Sequence, residues 1–180
     1  AIQAFNMEFS NQQIVESELP SVLDIKYRSI QKKYRTVSII SATIFALIIL
    51  AIPLTINILS GDTWFYDYII YIMVGWLLLY CFLILLSFKG FEHKGYAMRE
   101  RDIIFKKGWI WRSSTIVPFN RVQHTEIEQG PIERLFRLSV LKIFTAGGSS
   151  SDLKIPGLLP ETANRLKDYI QNKVGRDEEE

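Results

Sequence analysis

The chain has 180 residues, 21 Lys and Arg against 19 Asp and Glu, and a formal net charge of +2. This near-balance excludes a nucleic-acid binder defined by bulk basicity, and a hydrophobic content of 48% excludes a disordered chain. The single cysteine, Cys81, excludes a disulfide framework and a thiolate zinc site.

Residues Ala1 to Asn6 precede Met7 and read as an extension of native or artificial origin. From Ser21 to Arg35, apolar Val22, Leu23, Ile25, Tyr27, Ile30 and Tyr34 alternate irregularly with basic residues. Two conformations fit this stretch: an interfacial amphipathic helix, or an extended strand packed on a later domain.

Val37 to Leu59 carries no charged residue. At about 1.5 Å rise per residue it spans about 34 Å, enough for a bilayer core of about 30 Å. Ile69 to Phe88 is a second uncharged run. Soluble helices keep a polar face, and neither run has one. The two runs predict a transmembrane hairpin, with Pro53 kinking the first helix. Ser60 to Tyr68 would connect them, its Trp64, Tyr66 and Tyr68 forming an aromatic belt.

The connection has Asp62 and Asp67 but no Lys or Arg. The flanks have Lys26, Arg28, Lys32, Lys33 and Arg35 on one side, and Lys89, Lys94, Arg99 and Arg101 on the other. The positive-inside rule therefore expects both termini in the cytoplasm. Neither span holds an ionisable Asp, Glu, Lys, Arg or His, which argues against a pump or coupled transporter acting alone. Ser38, Ser41, Thr43 and Thr55 could bond between helices, though ordinary roles within a span suit each one better.

After the spans the pattern turns to short strands. Tyr96 to Arg99 is the first. Asp102 to Lys107 and Trp109 to Val117 read as a hairpin turning at Lys107-Gly108. On this reading Trp109 and Trp111 share a strand face, with at least one in the core. Asn120 to Gln129 is a further strand, Ile132 to Leu138 a helical turn, and Ser139 to Ala146 a strand with Leu141 and Ile143 facing one side. Gly147 to Ser151 reads as a turn, after which Asp152 to Ile155 pairs back. A helix opening at Pro160 places Ala163, Leu166, Tyr169, Ile170 and Val174 on one apolar face. Gly175 ends it, and Asp177 to Glu180 forms an acidic tail.

Several fragments in order carry a resemblance. They are Leu19-Pro20, Tyr34-Arg35, two spans, then Pro118, Arg121, Gln123, Gln129-Gly130-Pro131, Arg134-Leu135-Phe136 and Thr145-Ala146-Gly147-Gly148. On these the chain resembles the YdbS-like bacterial pleckstrin-homology (PH) membrane proteins. The resemblance implies an α+β membrane protein: a two-helix transmembrane hairpin followed by a PH-like β-barrel or sandwich capped by a C-terminal helix. The expected divisions are a cytoplasmic segment at 1–36, the hairpin at 37–88, the PH-like domain at 89–175 and the tail at 176–180. One position departs from the family pattern. Where Gly often follows Arg-Leu-Phe, this chain has Arg137, so a tight turn there must tolerate a side chain.

Chemistry is sparse. Cys81 lies mid-span with no cation to stabilise a thiolate. His93 and His124 are far apart, and a surface strand histidine is the stronger reading of His124 than a metal ligand or acid–base group. Glu126 and Glu128 share a strand face without a sugar-binding groove to serve. Gly147 to Ser151 lacks the spacing of a phosphate-binding loop. No catalytic residue, cofactor or metal is expected.

The basic residues Arg99, Arg101, Lys106, Lys107 and Arg112 are the candidate lipid or partner surface, near the membrane in sequence. Pro118, Arg121, Gln123, Gln129, Gly130, Pro131 and Arg134 are the family-pattern positions, with a structural role preferred for both arginines. The expected function is a non-enzymatic docking or scaffold module at the inner face of the bacterial cytoplasmic membrane. Its expected partners are a membrane protein, implied by the resemblance to be a larger multi-PH-domain relative, and anionic lipid headgroups; nucleic acid is not among them. The alternative is a structural subunit of a homo-oligomeric assembly, and an accessory part of an enzyme or transporter complex comes third.

Overall fold

A computed structural model of the chain describes residues 25–61, 64–146 and 152–177. Expectations for Leu19-Pro20, the Gly147 to Ser151 turn and the last three residues of the acidic tail lie outside these.

The apolar runs form two long helices, α1 (Lys33–Ser60) and α2 (Trp64–Glu92). Both are long and apolar enough to cross a bilayer, and few of their residues are fully buried by the protein itself. α1 runs unbroken through Pro53 and stops at Gly61, whose φ of 67° closes the helix as its N–H donates to the Asn57 carbonyl. The link between helices is shorter than expected, because Trp64 to Tyr68 already belong to α2. Ser41, Thr43, Thr55 and Ser87 donate to carbonyls of their own helices. Across the hairpin, Thr43 Oγ1 meets the Tyr80 hydroxyl at 3.4 Å, and the Trp76 indole N–H donates to the Ala46 carbonyl at 2.8 Å. Trp76 also stacks on Tyr80, 5.4 Å away and nearly parallel. An indole in hydrocarbon needs an acceptor, and the buried small residue Ala46 lets it reach one.

The strands form two antiparallel sheets. The first takes β1 (Arg28–Ser29), β2 (Gly95–Met98), β3 (Asp102–Lys107) and β4 (Ser113–Pro118), in that spatial order. The second takes β5 (Val122–Glu128), β6 (Ser139–Thr145) and β7 (Leu153–Leu158). A 3-10 turn, Phe119–Arg121, carries the chain between them, and the short helix α3 (Pro131–Leu135) joins β5 to β6. The amphipathic helix α4 (Pro160–Asp177) closes one end.

Alternation places Tyr96, Ile103, Phe105 and Val117 of one sheet against Leu141, Ile143, Leu153 and Ile155 of the other. Phe119 plugs the gap between sheets, and Ala163, Leu166 and Ile170 of α4 cover it. The result is a PH-like sandwich with a C-terminal helix. Tyr169, expected on the apolar face, is 39% exposed and meets Phe119 edge-on. Gly175 does not end α4, which continues to Asp177; one glycine in a last turn costs only about 1 kcal/mol.

Several strand limits differ from the sequence reading; β7, for one, runs past Ile155 to Leu158. Asn120 and Arg121 belong to the 3-10 turn, so β5 starts later, at Val122. Trp109 to Arg112 are loop, because Gly108 has a φ of 98° and turns the chain out of the β3 plane. Lys107 pairs with Ser113 and closes that loop. Trp111 is therefore 87% exposed and Trp109 only half-buried; neither lies in the core.

The N-terminal segment resolves in favour of the extended form at Arg28–Ser29, which pairs antiparallel with β2 (Arg28 with Tyr96, Ser29 with Gly95). The first sheet thus recruits a strand from before the hairpin, and the two long helices are an insertion between its first and second strands. Ile30 is buried, and the Gln31 N–H donates to the Gly157 carbonyl at 2.9 Å. Gly157 has a φ of 68°, and a Cβ there would lie 2.7 Å from the Tyr34 Cβ. Only glycine supplies both that backbone and that close approach. This contact fastens β7 to the start of α1.

Candidate cationic site at the hairpin foot

β3 runs toward the hairpin, so its end brings Lys106 and Lys107 beside the last residues of α2. The β3–β4 loop then returns Arg112 to the same place. Together with Tyr27, Glu92, His93, Gly108, Ser113 and Ser114 they line a cleft of about 510 Å³. Gly108 shapes its rim: any Cβ there would collide with the Trp111 carbonyl.

Positive charge is concentrated at this foot. The Lys106 ammonium lies 4.0 Å from the centre of the Tyr27 ring, and Lys94 lies 4.9 Å from that of Tyr34. Burial pushes the Lys94 pKa down, and the nearby Lys107 charge pushes it further in the same direction. Among the described residues, none of Lys106, Lys107 and Arg112 is in an ion pair. Among the described residues, Glu92 is the one carboxylate lining the cleft. His93 donates from Nδ1 to the Lys89 carbonyl at 2.9 Å, extending the end of α2. The arrangement suits an anion: exposed cations, two hydroxyls and an aromatic wall, beside the last residues of α2.

The five sequence candidates separate into two groups. Lys106, Lys107 and Arg112 come together. Arg99 and Arg101 lie at the opposite end of the β2–β3 hairpin, where Arg99 Nε bonds Asp102 Oδ1 at 2.8 Å. Sequence reasoning missed Tyr27, His93 and the two serines. Tyr27 reaches the cleft only because β1 pairs with β2 across an insertion of two long helices, a contact that leaves no local pattern.

The family-pattern positions serve the chain's turns. Pro118 ends β4 opposite Asp102. The Arg121 carbonyl accepts from Ala146 N–H at 3.2 Å. Gln123 sits at an irregularity in the β5–β6 register. The Gln129 side chain donates to the Leu138 carbonyl and to Ser139 Oγ, tying β5 to the start of β6. Gly130 and Pro131 open α3, and a side chain at Gly130 would collide with the Glu133 carboxylate. The Arg121 and Arg134 guanidinium groups are exposed and make no hydrogen bond or ion pair among the described residues, so the structural part of both arginines is played by their backbones. Arg137 adopts a φ of 55°, the left-handed turn a glycine would favour, with its side chain exposed.

Of the other groups singled out from the sequence, His124 stacks on Phe144 with ring centres 4.2 Å apart and approaches Glu126 at 3.8 Å. Lys142 bonds the Glu128 carboxylate at 2.5 Å and holds its pKa below the usual range. Cys81 is exposed on the hairpin surface. Among the described residues no three His, Cys, Asp or Glu side chains gather as a metal-holding group.

The family model described as Bacterial PH domain matches residues 36–174. Over 75 residues, 42% of this chain, the sequence is 39% identical to the UPF0699 transmembrane protein YdbS of Bacillus subtilis (strain 168). The matched stretch spans 45% of that relative. No solved structure matches. A model covering most of the chain, a sandwich of the same class and a transmembrane relative agree: the chain belongs to the bacterial PH domain family, as a YdbS-like membrane protein.

Proposed function

We propose that the protein is a non-enzymatic docking module of the bacterial cytoplasmic membrane. Its hairpin crosses the bilayer, both termini are cytoplasmic, and the sandwich faces the inner leaflet. The Lys and Arg residues flanking both helices, with none between them, support this orientation. The domain holds anionic phosphate-bearing headgroups in the cationic cleft and presents its remaining surface to a membrane-protein partner. The family resemblance favours a larger relative with several PH-like domains as that partner. Anchoring confines both to one surface, so weak contacts suffice.

The observation that carries this reading is the convergence of Lys106, Lys107 and Arg112 at the end of α2, none of them in an ion pair among the described residues. The fold alone would not assign it, since PH-like architecture hosts many functions. The test is native mass spectrometry of the full chain in phosphatidylcholine–phosphatidylglycerol mixtures. The intact protein is expected to retain phosphatidylglycerol preferentially. Replacing all three cations by Gln should weaken retention by about 100-fold, at about 1 kcal/mol per basic residue. Unchanged retention refutes the headgroup assignment. Purification in mild detergent tests the partner: a second membrane protein is expected, and a homo-oligomer alone would favour the structural-subunit alternative.

A further inference from the structure

Outside the hairpin, the two most exposed large apolar side chains among the described residues are Trp111, 87% exposed, and Leu135, 82% exposed. A lone exposed apolar residue is ordinary on a protein surface. These two differ in where they are. Trp111 stands on the β3–β4 loop, beside half-exposed Ile110, and that loop borders the cleft with Glu92 and His93 at the foot of α2. Leu135 ends α3, which packs against α1. Each apolar tip therefore sits next to one leg of the hairpin.

Each tip also has its own cations. Lys106, Lys107 and Arg112 are exposed around the first; Arg134 and Arg137 are exposed on either side of the second. Arg137 keeps a charged side chain on a left-handed backbone where glycine would be easier. Apolar or indole tips ringed by Lys and Arg suit the boundary of a bilayer, with rings at headgroup depth and cations on phosphates. The hairpin cannot hold the domain far from that boundary. Three residues separate β1 from α1, and two separate α2 from β2.

We propose that the sandwich rests directly on the leaflet, inserting Trp111 and Leu135 on opposite sides of the hairpin, so that the domain contacts the bilayer at three places. The occupant of both tips is lipid. This deepens the docking reading and rests on it for the side of the membrane, but it needs no specific headgroup in the cleft.

The test places nitroxide labels on the full chain in a Cys81→Ser background. Single cysteines are introduced as Trp111→Cys, Leu135→Cys and Glu100→Cys, the last in the turn at the far end of the β2–β3 hairpin. Each is reconstituted in nanodiscs of phosphatidylcholine with and without phosphatidylglycerol. Labels at 111 and 135 are expected to be more accessible to dissolved oxygen than to a water-soluble nickel chelate, and the label at 100 the reverse. A label at 111 or 135 that behaves like the one at 100 overturns the proposal, including the case in which a protein partner normally covers the tips. Bilayer-like labels without phosphatidylglycerol retention leave this inference standing and refute the headgroup assignment. Retention with aqueous labels does the opposite.

Discussion

Replacing Gly157 by Ala tests how firmly the hairpin is built into the sandwich. Two costs combine. The backbone sits at a φ of 68°, where a Cβ costs about 1–2 kcal/mol. The added carbon would lie 2.7 Å and 2.8 Å from the Tyr34 Cβ and Cγ. Those atoms sit near the root of a side chain at the start of α1, so relief requires moving the helix or the strand. Movement would stretch the bond from Gln31 N–H to the Gly157 carbonyl, worth about 1 kcal/mol. The sum is about 3 kcal/mol, or a fall in melting temperature of about 15 °C for a domain of this size. The assay is thermal unfolding of the full chain in mild detergent, followed by near-ultraviolet circular dichroism. Arg137→Gly is the companion variant. Its φ of 55° has the same sign, so removing the Cβ should stabilise, by about 1 kcal/mol. Unchanged melting of Gly157→Ala, or shifts of the same sign in both variants, would refute the reasoning.

Among the described residues the buried Thr125 hydroxyl has no hydrogen-bond partner, so Thr125→Val should raise stability by about 1 kcal/mol in the same melt, and a loss would show that the hydroxyl is satisfied. Trp76→Phe keeps an aromatic ring but removes the donor to Ala46; the free energy of unfolding by sodium dodecyl sulfate should fall by roughly 0.6 kcal/mol, the average for such bonds in membranes, and an unchanged unfolding curve would refute the bond's contribution. Glu128 and Asp152 have carboxyl pKa values held below their ordinary 4.5 and 3.8, by Lys142 and by the Thr145 hydroxyl and N–H. Their stabilisation is complete above those ordinary values and is lost as pH falls through the lowered ones. Glu128→Gln with Asp152→Asn should therefore flatten the acid limb of melting temperature against pH, and an unaltered limb would refute the assignment.

The parts legible in the sequence are those with a strong local cause. Two charge-free runs announce the hairpin, and alternation in Ser139 to Ala146 puts Leu141 and Ile143 on one face, which is the face the sandwich buries. Arg137 was identifiable as a residue in a glycine's position, and its φ shows the turn preserved around the side chain. The failures have equally specific causes. Trp109 and Trp111 alternate with Ile110 and Arg112 as a strand would, yet the backbone of Gly108 decides the loop. β1 has two residues, too few to produce a period, and its partner lies beyond the hairpin. The cleft inherits that difficulty: Lys106, Lys107 and Arg112 are close in sequence and were recoverable, whereas Tyr27 was not. Arg99 and Arg101 were equally basic and equally near in sequence. They separate because a β-hairpin sends its turn to the far end of the sheet.

Threading the hairpin between β1 and β2 changes what the anchor does. A domain hung on one flexible linker samples many orientations, and its membrane-facing surface is undefined. Here both legs emerge from adjacent strands of the same sheet. At roughly 3.5 Å per residue the connecting segments reach only about 10 Å and 7 Å. The first is further fastened by buried Ile30 and by the Gln31 bond to Gly157, and Arg35 packs on Phe88 to tie the legs together. Rotation of the sandwich would have to break the β1–β2 pairing or pull Tyr34 off Gly157. The hairpin thus sets orientation as well as proximity. Much of the orientational cost of presenting the cleft and the loop tips is met when the chain folds. On the docking reading proposed above, modest charge at the foot would then suffice to select lipid or partner, without the large, strongly basic surface that a freely diffusing domain would need.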